Sequence, residues 1–211
     1  MFNITLPFFQ YKEIITTIAD ITVLVMAAFT ITFFKQIKQW LIERKSKSFD
    51  LAINRNSVIN ALLSELRALY RTDRVMFFQI HNGEYFLSGE SNMKCSMTHF
   101  VVRTGVAMPI GSLYQNVPTT HLVSLFAELK DKNVSWFEVD SETEAKHDPT
   151  LRHLLALTGT RWALICPVKK YNNIWMGFVV LSWMDDLEKP KEIELEKYAQ
   201  QIADVLNIPK K

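Results

Sequence analysis

Cysteine is scarce in this sequence, repeats and low-complexity tracts are missing, and the formal charges nearly cancel. The two cysteines, Cys95 and Cys166, lie far apart and form no Cys-x-x-Cys pattern. Their spacing indicates neither a disulfide framework nor a structural zinc site, and it favours a reducing compartment. A net charge of +2 excludes a strongly basic nucleic-acid-binding protein, so we expect no nucleic acid among the partners.

Charge is also scarce within residues 14–34, IITTIADITVLVMAAFTITFF, where Asp20 is the single charged residue. A helix of this length is about 31 Å long, close to the hydrocarbon thickness of a bilayer. A buried helix of a soluble core is the alternative, although such a helix is rarely apolar on every face. The pattern predicts a transmembrane helix over 14–34.

Positive charges are concentrated after this segment. Lys12 alone precedes it, next to Glu13, whereas a group of basic residues follows it: Lys35, Lys38, Arg44, Lys45 and Lys47. A cleaved signal peptide has the opposite order. The positive-inside rule therefore predicts an uncleaved, single-pass signal anchor in the cytoplasmic (inner) membrane, with residues 1–13 outside and the C-terminal domain in the cytoplasm.

Small and polar side chains form one stripe on the predicted transmembrane helix. Thr16, Asp20 and Ala27 are spaced by four and then seven residues and therefore share a face. Within lipid such a stripe marks a helix–helix contact more often than a catalytic group. We expect homo-oligomerisation through this face. The alternative is that Asp20 simply extends its carboxylate towards the membrane surface.

Residues 35–70 form a basic juxtamembrane segment and connector. Trp40 lies among basic residues, as expected for a segment that leaves the membrane interface. Leu62, Leu66 and Leu69 are spaced as one face of a helix. We expect a second helix, either separate from the first or continuous with it, whose apolar face packs on the following domain or on a second copy.

Residues 71–211 have the pattern of one globular domain. Apolar runs predict strands over 74–80, 94–103, 162–168 and 174–183, the last two joined as a hairpin. Helical periodicity predicts helices over 121–132, 148–159 and 192–206. A Thr of the 118–120 segment and Asp148 are the expected N-caps, and Gly159 is the expected left-handed C-cap. This order predicts the α+β class, an antiparallel sheet flanked by helices.

The last part of the chain carries a resemblance to a known family. The strand WALICPV reaches a proline and a short turn, and the strand WMGFVVLSW and a helix containing QQIADVL follow. Together with RVMFFQI after an amphipathic helix, this layout resembles the GAF sensory family over residues 57–207, with a PAS-like domain as the competing assignment. The resemblance implies a small-molecule-binding or signal-relaying module that is often dimeric through its flanking helices.

Residues of the specialised GAF chemistries are not found in their usual patterns. The Asn-Lys-Phe-Asp-Glu signature of cyclic-nucleotide-binding members is absent, and Cys95 is followed by Ser96 rather than by the His common in bilin-binding members. The free methionine sulfoxide reductases of this fold use several cysteines, whereas Cys166 lies in the middle of a predicted strand, where burial makes a thiol inert. The resemblance therefore leaves the cofactor unknown.

The segment FFQIHNGEYFLSGES contains the candidate site. One interpretation is a tight Asn-Gly turn with His81 at its entrance. The other is a ligand site that also uses Asn82 and Glu84. Cys95 and His99 are four residues apart on the next strand, so we expect them on one face. If the two strands pair, these side chains converge at one end of the sheet and hold a small neutral or anionic ligand.

Metal binding and catalysis are weaker interpretations of the same residues. Histidine, cysteine and glutamate are ligands for zinc, but no spacing here matches a metal motif. Cys95 and His99 would stand about 13 Å apart on an extended strand, too far for a nucleophile and its base. We expect no metal, no catalytic residue and no enzymatic activity. The long segment 105–118 is expected to be either a lid across the sheet from His81 or an ordinary connector.

The sequence therefore predicts a membrane-anchored sensory protein of signal transduction, whose GAF-like domain binds a ligand or partner and relays this through helix packing. No kinase or cyclase sequence follows, so we expect output through the membrane helix, the connector or an unknown protein partner.

Two other functions compete with this one. One is a non-catalytic scaffold with an empty GAF-like fold, a bacterial or phage accessory factor, and the other is an enzyme that uses Cys95. A polar cavity beside His81 favours the sensor. A sheet face filled by Phe and Met favours the scaffold, and the available side chains are Phe77, Phe78, Met97, Phe100 and Met176.

Overall fold

The computed structural model describes residues 8–85, 91–139, 148–170, 173–185 and 194–207. The chain divides into two compact units, Met1–Ala52 and Ile53–Lys211. One helix, α1 (Phe8–Tyr70), supplies residues to both units. The sequence left open whether the membrane helix and the connector helix are continuous, and in the structure they are one helix.

In the first unit, helix α1 is apolar and exposed. All side chains from 15 to 44 are exposed, including Leu24 (70%) and Phe29 (69%). Thr22, Thr30 and Thr32 donate their hydroxyl protons to helix carbonyls four residues back, over 2.8, 2.7 and 3.0 Å. Their polar groups are therefore satisfied within the helix, as an apolar solvent requires. This helix is long and apolar enough to cross a membrane.

The second unit is built on a six-stranded sheet in which every neighbouring pair is antiparallel. The strands are β1 (Arg74–Tyr85), β2 (Ser91–Val102), β3 (Val117–Pro118), β4 (Ser135–Glu138), β5 (Trp162–Lys169) and β6 (Trp175–Trp183). Their order across the sheet is β3-β2-β1-β6-β5-β4. The predicted α+β class and the β5–β6 hairpin are confirmed. The sequence pattern predicted neither β3 nor β4, because two and four residues are too few for an alternating pattern to stand out.

Helices cover both faces of this sheet. The remaining helices are α2 (Val123–Asp131), α3 (Pro149–Ala156) and α4 (Leu195–Asn207). One face forms a cluster with Ile59 and Leu63 of α1 and with Ile202 of α4. The other face forms a cluster with Leu125 of α2 and Leu155 of α3. The central strand is therefore buried from both sides.

The buried stripe of α1 differs from the expected one. Ile59, Leu63 and Leu66 are fully buried, whereas Leu69 is 57% exposed. The spacing of four and then three residues keeps the buried side chains on one face of the helix. The chain leaves the helix after Tyr70, and Arg71 adopts a φ of 49° before β1 begins.

Asp148 caps a different helix from the one predicted. Its carboxylate accepts hydrogen bonds from the backbone N–H of Ser124 (3.0 Å) and Leu125 (2.9 Å), at the start of α2. It makes no capping bond to its own helix, and the expected Thr N-cap of α2 is replaced by Leu122. A carboxylate stabilises any nearby helix N-terminus, and sequence spacing shows only the adjacent one. Gly159 has a φ of +65°, as predicted for a left-handed C-cap.

The His-Asn-Gly motif does not form the expected turn. Strand β1 continues through it to Tyr85, and the pairing with β2 is irregular between Asn82 and Tyr85. A Cβ atom at Gly83 would collide with the backbone oxygen of Asn92 on β2. The glycine is therefore required by the close approach of two backbones rather than by a turn.

The close approach at Gly83 predicts a selective cost for an added methyl group. Gly83→Ala is expected to lower the free energy of unfolding by about 2 kcal/mol, because β1 and β2 must separate. Gly111→Ala is the matched control, since a Cβ there meets only open space, and its effect is expected to stay within about 0.5 kcal/mol. Urea unfolding of the detergent-solubilised chain measures both. Equal stability of the two variants would contradict this account of Gly83.

Candidate functional site

His81 lies in a hydrogen-bonded chain at the edge of β1 and β2. Its Nε2 atom is 2.9 Å from the hydroxyl of Ser96, which is buried on β2. The same hydroxyl accepts a hydrogen bond of 2.9 Å from the backbone N–H of Asn116. In the neutral Nδ1–H tautomer, Nε2 accepts the hydroxyl proton of Ser96. These two hydrogen bonds fix the orientation of the half-buried His81 imidazole.

The rest of the polar end of β1 is open. Asn82 is exposed, and its carbonyl oxygen is 3.3 Å from His81 Nδ1. The side chain of Glu84 lies outside the described residues. A ligand at this end would contact Asn82 and the exposed edge of the His81 ring. The hydrogen bonds through Ser96 and Asn116 would fix the ring from its buried side. The sequence analysis missed Ser96 and Asn116; the φ of 56° at Asn116 marks a special turn that an Asn tolerates.

Cys95 and His99 do not share a face, so the expectation that they converge with His81 is wrong. Phe77 pairs with His99 and Phe78 pairs with Met97, which leaves Thr98 as an extra residue in β2. Such a β-bulge shifts the alternation of side chains by one residue. The bulge therefore places the two candidate residues on opposite sides of the sheet.

His99 is a structural residue of the face covered by α1. Its ring packs on Phe77 with 6.0 Å between ring centroids. Its Nε2 is 3.2 Å from Asn56 Oδ1 on α1, and its Nδ1 is 2.9 Å from the hydroxyl of Thr98. Burial lowers the pKa of His99. The imidazole is therefore neutral near pH 7 and joins the helix to the sheet.

Cys95 lies on the opposite face, in the apolar cluster beneath α2 and α3. A cavity of about 20 Å³ lies here, lined by apolar side chains that include Met76, Phe78, Cys95, Tyr114 and Phe178. The rings of Phe78 and Phe178 stack at 4.9 Å. A cavity of this size holds about one water molecule.

The side chains expected to fill the sheet are divided between its surfaces. Phe78 and Met97 belong to the cluster with the cavity, whereas Phe77 belongs to the cluster under α1. Phe100 is 37% exposed, and Met176 packs at the margin of the α1 cluster. Among the described residues, no group of three or more His, Cys, Asp or Glu side chains is placed to hold a metal ion.

The segment 105–118 is anchored rather than free. It contains a short 3₁₀ turn, Gly111–Tyr114, and the strand β3. Tyr114 is buried, and its hydroxyl donates a hydrogen bond of 2.8 Å to the Leu154 carbonyl. The Gln115 side chain donates to the Met97 carbonyl over 2.8 Å. The segment therefore covers the cavity side of the sheet, and Tyr114 is its main attachment.

Burial of both thiols predicts slow alkylation. Burial raises the pKa of Cys95 and of Cys166 to about 12, so both remain protonated thiols at pH 8. A thiol of pKa near 12 has a thiolate fraction about a thousandfold below that of a thiol of pKa 9. Iodoacetamide at pH 8 is expected to modify the folded chain at least about a hundredfold more slowly than the urea-unfolded chain. Mass spectrometry of Cys166→Ser isolates Cys95, and rapid labelling of folded Cys95 would support the enzyme interpretation instead.

Comparison with known proteins identifies the fold. No protein-family model matches the chain, and no curated protein matches it. The GAF domain of the cyanobacteriochrome TePixJ is similar in structure, with a TM-score of 0.52 and 15% identity, over 72% of this chain and 88% of that chain.

Two further solved structures agree. The GAF domain of a two-component sensor histidine kinase from Bacillus halodurans has a TM-score of 0.51 and 14% identity, over 71% of this chain and 90% of that chain. The blue-light absorbing form of the Thermosynechococcus elongatus PixJ GAF domain has a TM-score of 0.50 and 14% identity, over 74% and 84%. These likenesses establish architecture, and the unit Ile53–Lys211 therefore has the GAF fold that the sequence resemblance predicted.

Proposed function

We propose that this chain is a membrane-anchored, non-catalytic regulatory protein whose GAF-fold domain passes a binding event to helix α1. The observation that carries the proposal is the composition of α1 itself. Its first part presents an exposed apolar surface, and its last turns supply Ile59, Leu63 and Leu66 to the core of the domain.

The exposed part of α1 supports a membrane anchor. Exposed apolar side chains over so long a helix favour an apolar solvent, and each Leu, Ile, Phe or Val favours lipid by about 0.3–0.6 kcal/mol at the helix centre. The basic residues after position 34 support a cytoplasmic domain and an outside N-terminus. Within this proposal, Thr16, Asp20 and Ala27 form the contact between the membrane helices of a homo-oligomer.

The end of α1 is connected to the rest of the domain by specific hydrogen bonds. The Tyr198 hydroxyl on α4 donates to Glu65 on α1 over 2.6 Å. Trp183 Nε1 on β6 donates to the Tyr70 carbonyl over 3.3 Å. A change in the sheet or in α4 therefore bears directly on the last turn of α1. This is the element through which binding at His81 and Asn82 would reach the membrane helix.

A second function, a membrane-tethered scaffold, is favoured by a specific observation. The sheet face beneath α2 and α3 is filled by Phe78, Met97 and Phe178, and its cavity is apolar and small. In that function the domain holds a protein partner at the membrane and binds no small molecule. Both functions are non-catalytic, in keeping with the separation of Cys95 from His99.

The anchor predicts that two arginines within the span release the chain from membranes. Leu24→Arg with Phe29→Arg is expected to reduce the membrane-inserted fraction at least about a hundredfold, since each arginine costs about 3 kcal/mol at the centre of a span. The matched control, Leu51→Arg with Ile53→Arg, changes exposed residues of α1 beyond the span and is expected to stay inserted. Carbonate extraction of membranes measures the inserted fraction.

The same membranes test the orientation. Protease added outside intact spheroplasts is expected to leave the domain uncut, and protease added after lysis is expected to cut it. Release of the unaltered chain by carbonate would overturn the anchor. Cleavage of the domain in intact spheroplasts would overturn the orientation and leave the anchor standing.

A further inference from the structure

Arg74, the first residue of β1, is a buried cation with an unused donor. It is 1% exposed, and its Nε donates a hydrogen bond of 3.1 Å to the Ala107 carbonyl. Its Nη1 is buried and has no hydrogen-bond partner in the described part of the chain. A guanidinium stays protonated in proteins, and a buried charge is costly unless an opposite charge or acceptor faces it. An acceptor for Arg74 Nη1 would therefore stabilise the buried guanidinium.

The neighbouring carboxylate is already engaged elsewhere. Asp73 Oδ1 is 2.8 Å from Arg103 Nη2, and Asp73 Oδ2 accepts a hydrogen bond of 2.7 Å from the Met184 backbone N–H. Asp73 attracts Arg74 only through space. Its two oxygens are directed to the ends of β2 and β6, so the guanidinium lacks a bonded counter-charge from it.

A second orphaned donor lies opposite Arg74 on the next strand. Ser182 pairs with Arg74 across β1 and β6, is fully buried, and has a hydroxyl without a hydrogen-bond partner among the described residues. Ala163 of β5 is next in the same row. The adjacent row on this face carries the larger Val180 and Ile165. The row that contains Arg74 therefore carries smaller side chains on β6 and β5 than the adjacent row does.

The segment 103–116 covers this end of the sheet. Ala107 bonds Arg74 directly, and Tyr114 lies close by: burial raises the pKa of Tyr114, and the positive charge of Arg74 acts against that rise. Residues 103–110 of this cover are a loop without helix or strand, with Gly105 at a φ of +85° and Met108 73% exposed. Loops of this kind open at lower cost than helices or strands. A small molecule could therefore reach Arg74 from this side.

We propose that Arg74 and Ser182 form an anion site, closed by segment 103–116, that takes the phosphate or carboxylate group of a small molecule. The guanidinium supplies the charge and the Nη1–H donor, and the Ser182 hydroxyl supplies a second donor from the facing strand. Phosphate and carboxylate oxygens match both groups, and charge-assisted bonds from arginine to these anions are the strong ones. A water molecule would satisfy the two donors but would leave the charge uncompensated.

This inference goes beyond the proposed regulatory function, because it adds a site separate from His81 and Asn82, names the class of its ligand and places that ligand beneath a loop that can report its presence. The site lies on the sheet face away from α1, at the pair that Arg74 of β1 forms with Ser182 of β6. Occupancy would hold the loop against the sheet through Arg74, Tyr114 and the Ala107 carbonyl. The site does not depend on the membrane anchor, so the two proposals can fail separately.

Thermal unfolding of the full chain in uncharged detergent tests the site with simple probes. Inorganic phosphate or acetate, compared with chloride at the same ionic strength, is expected to raise Tm by about 5 °C at saturating concentration. Limited proteolysis within 103–116 is expected to slow in parallel. A response to phosphate alone assigns a phosphate ligand, and a response to acetate alone assigns a carboxylate ligand.

Ser182→Val is the decisive variant, because it replaces the second donor with two methyl groups while Arg74 stays in place. It is expected to unfold at or above the wild-type Tm in chloride and to lose at least three quarters of the anion-induced shift. Ser135→Ala is the matched control, since its hydroxyl is likewise buried without a partner among the described residues, but on β4. It should keep the full shift. The absence of any anion-specific shift in the wild type, or the same shift in Ser182→Val, would overturn the site.

Discussion

The burial of β1 from both sides is the constraint on which the rest of the structure depends. Val75, Met76 and Phe77 are almost fully buried, and β1 pairs with β2 on one edge and with β6 on the other. Each side chain of the central strands must therefore enter one of two separate cores. The bulge at Thr98 decides the position of two candidate residues, with His99 beneath α1 and Cys95 beneath α2 and α3.

The same constraint explains which polar side chains of β1 have hydrogen-bond partners and which lack them. The central strand begins with Arg74 and is preceded by Asp73, and both buried charges require partners in a nearly dry interior. Asp73 joins the ends of β2 and β6, whereas Arg74 is left with one backbone acceptor. Towards the other end of β1, His81 bonds to the Ser96 hydroxyl, which also accepts a hydrogen bond from the Asn116 backbone N–H. The unmet donor of Arg74 thus lies at the end of β1 that carries no familiar motif.

Local patterns sufficed for much of the fold. The apolar runs of β5 and β6, the periodicity of α4 and Gly159 after α3 are short-range signals, and the structure agrees with them. Long-range relations were beyond such patterns. Gly83 has the sequence of a turn residue, yet its role is set by Asn92 on another strand, and Asp148 caps α2 across the fold. Arg74 was visible only as the edge of an apolar run, and its significance requires Ser182 on β6 opposite it.

The central claim is that this GAF-fold domain holds a small anionic molecule rather than serving as an empty scaffold. Native mass spectrometry of the full chain, released from nanodiscs and compared before and after denaturation, tests it most directly. The account predicts a retained species bearing a phosphate or carboxylate group, present with the wild-type chain and lost with Ser182→Val. A wild-type chain that carries no small molecule, with the same mass as its polypeptide, would contradict the claim and favour the scaffold.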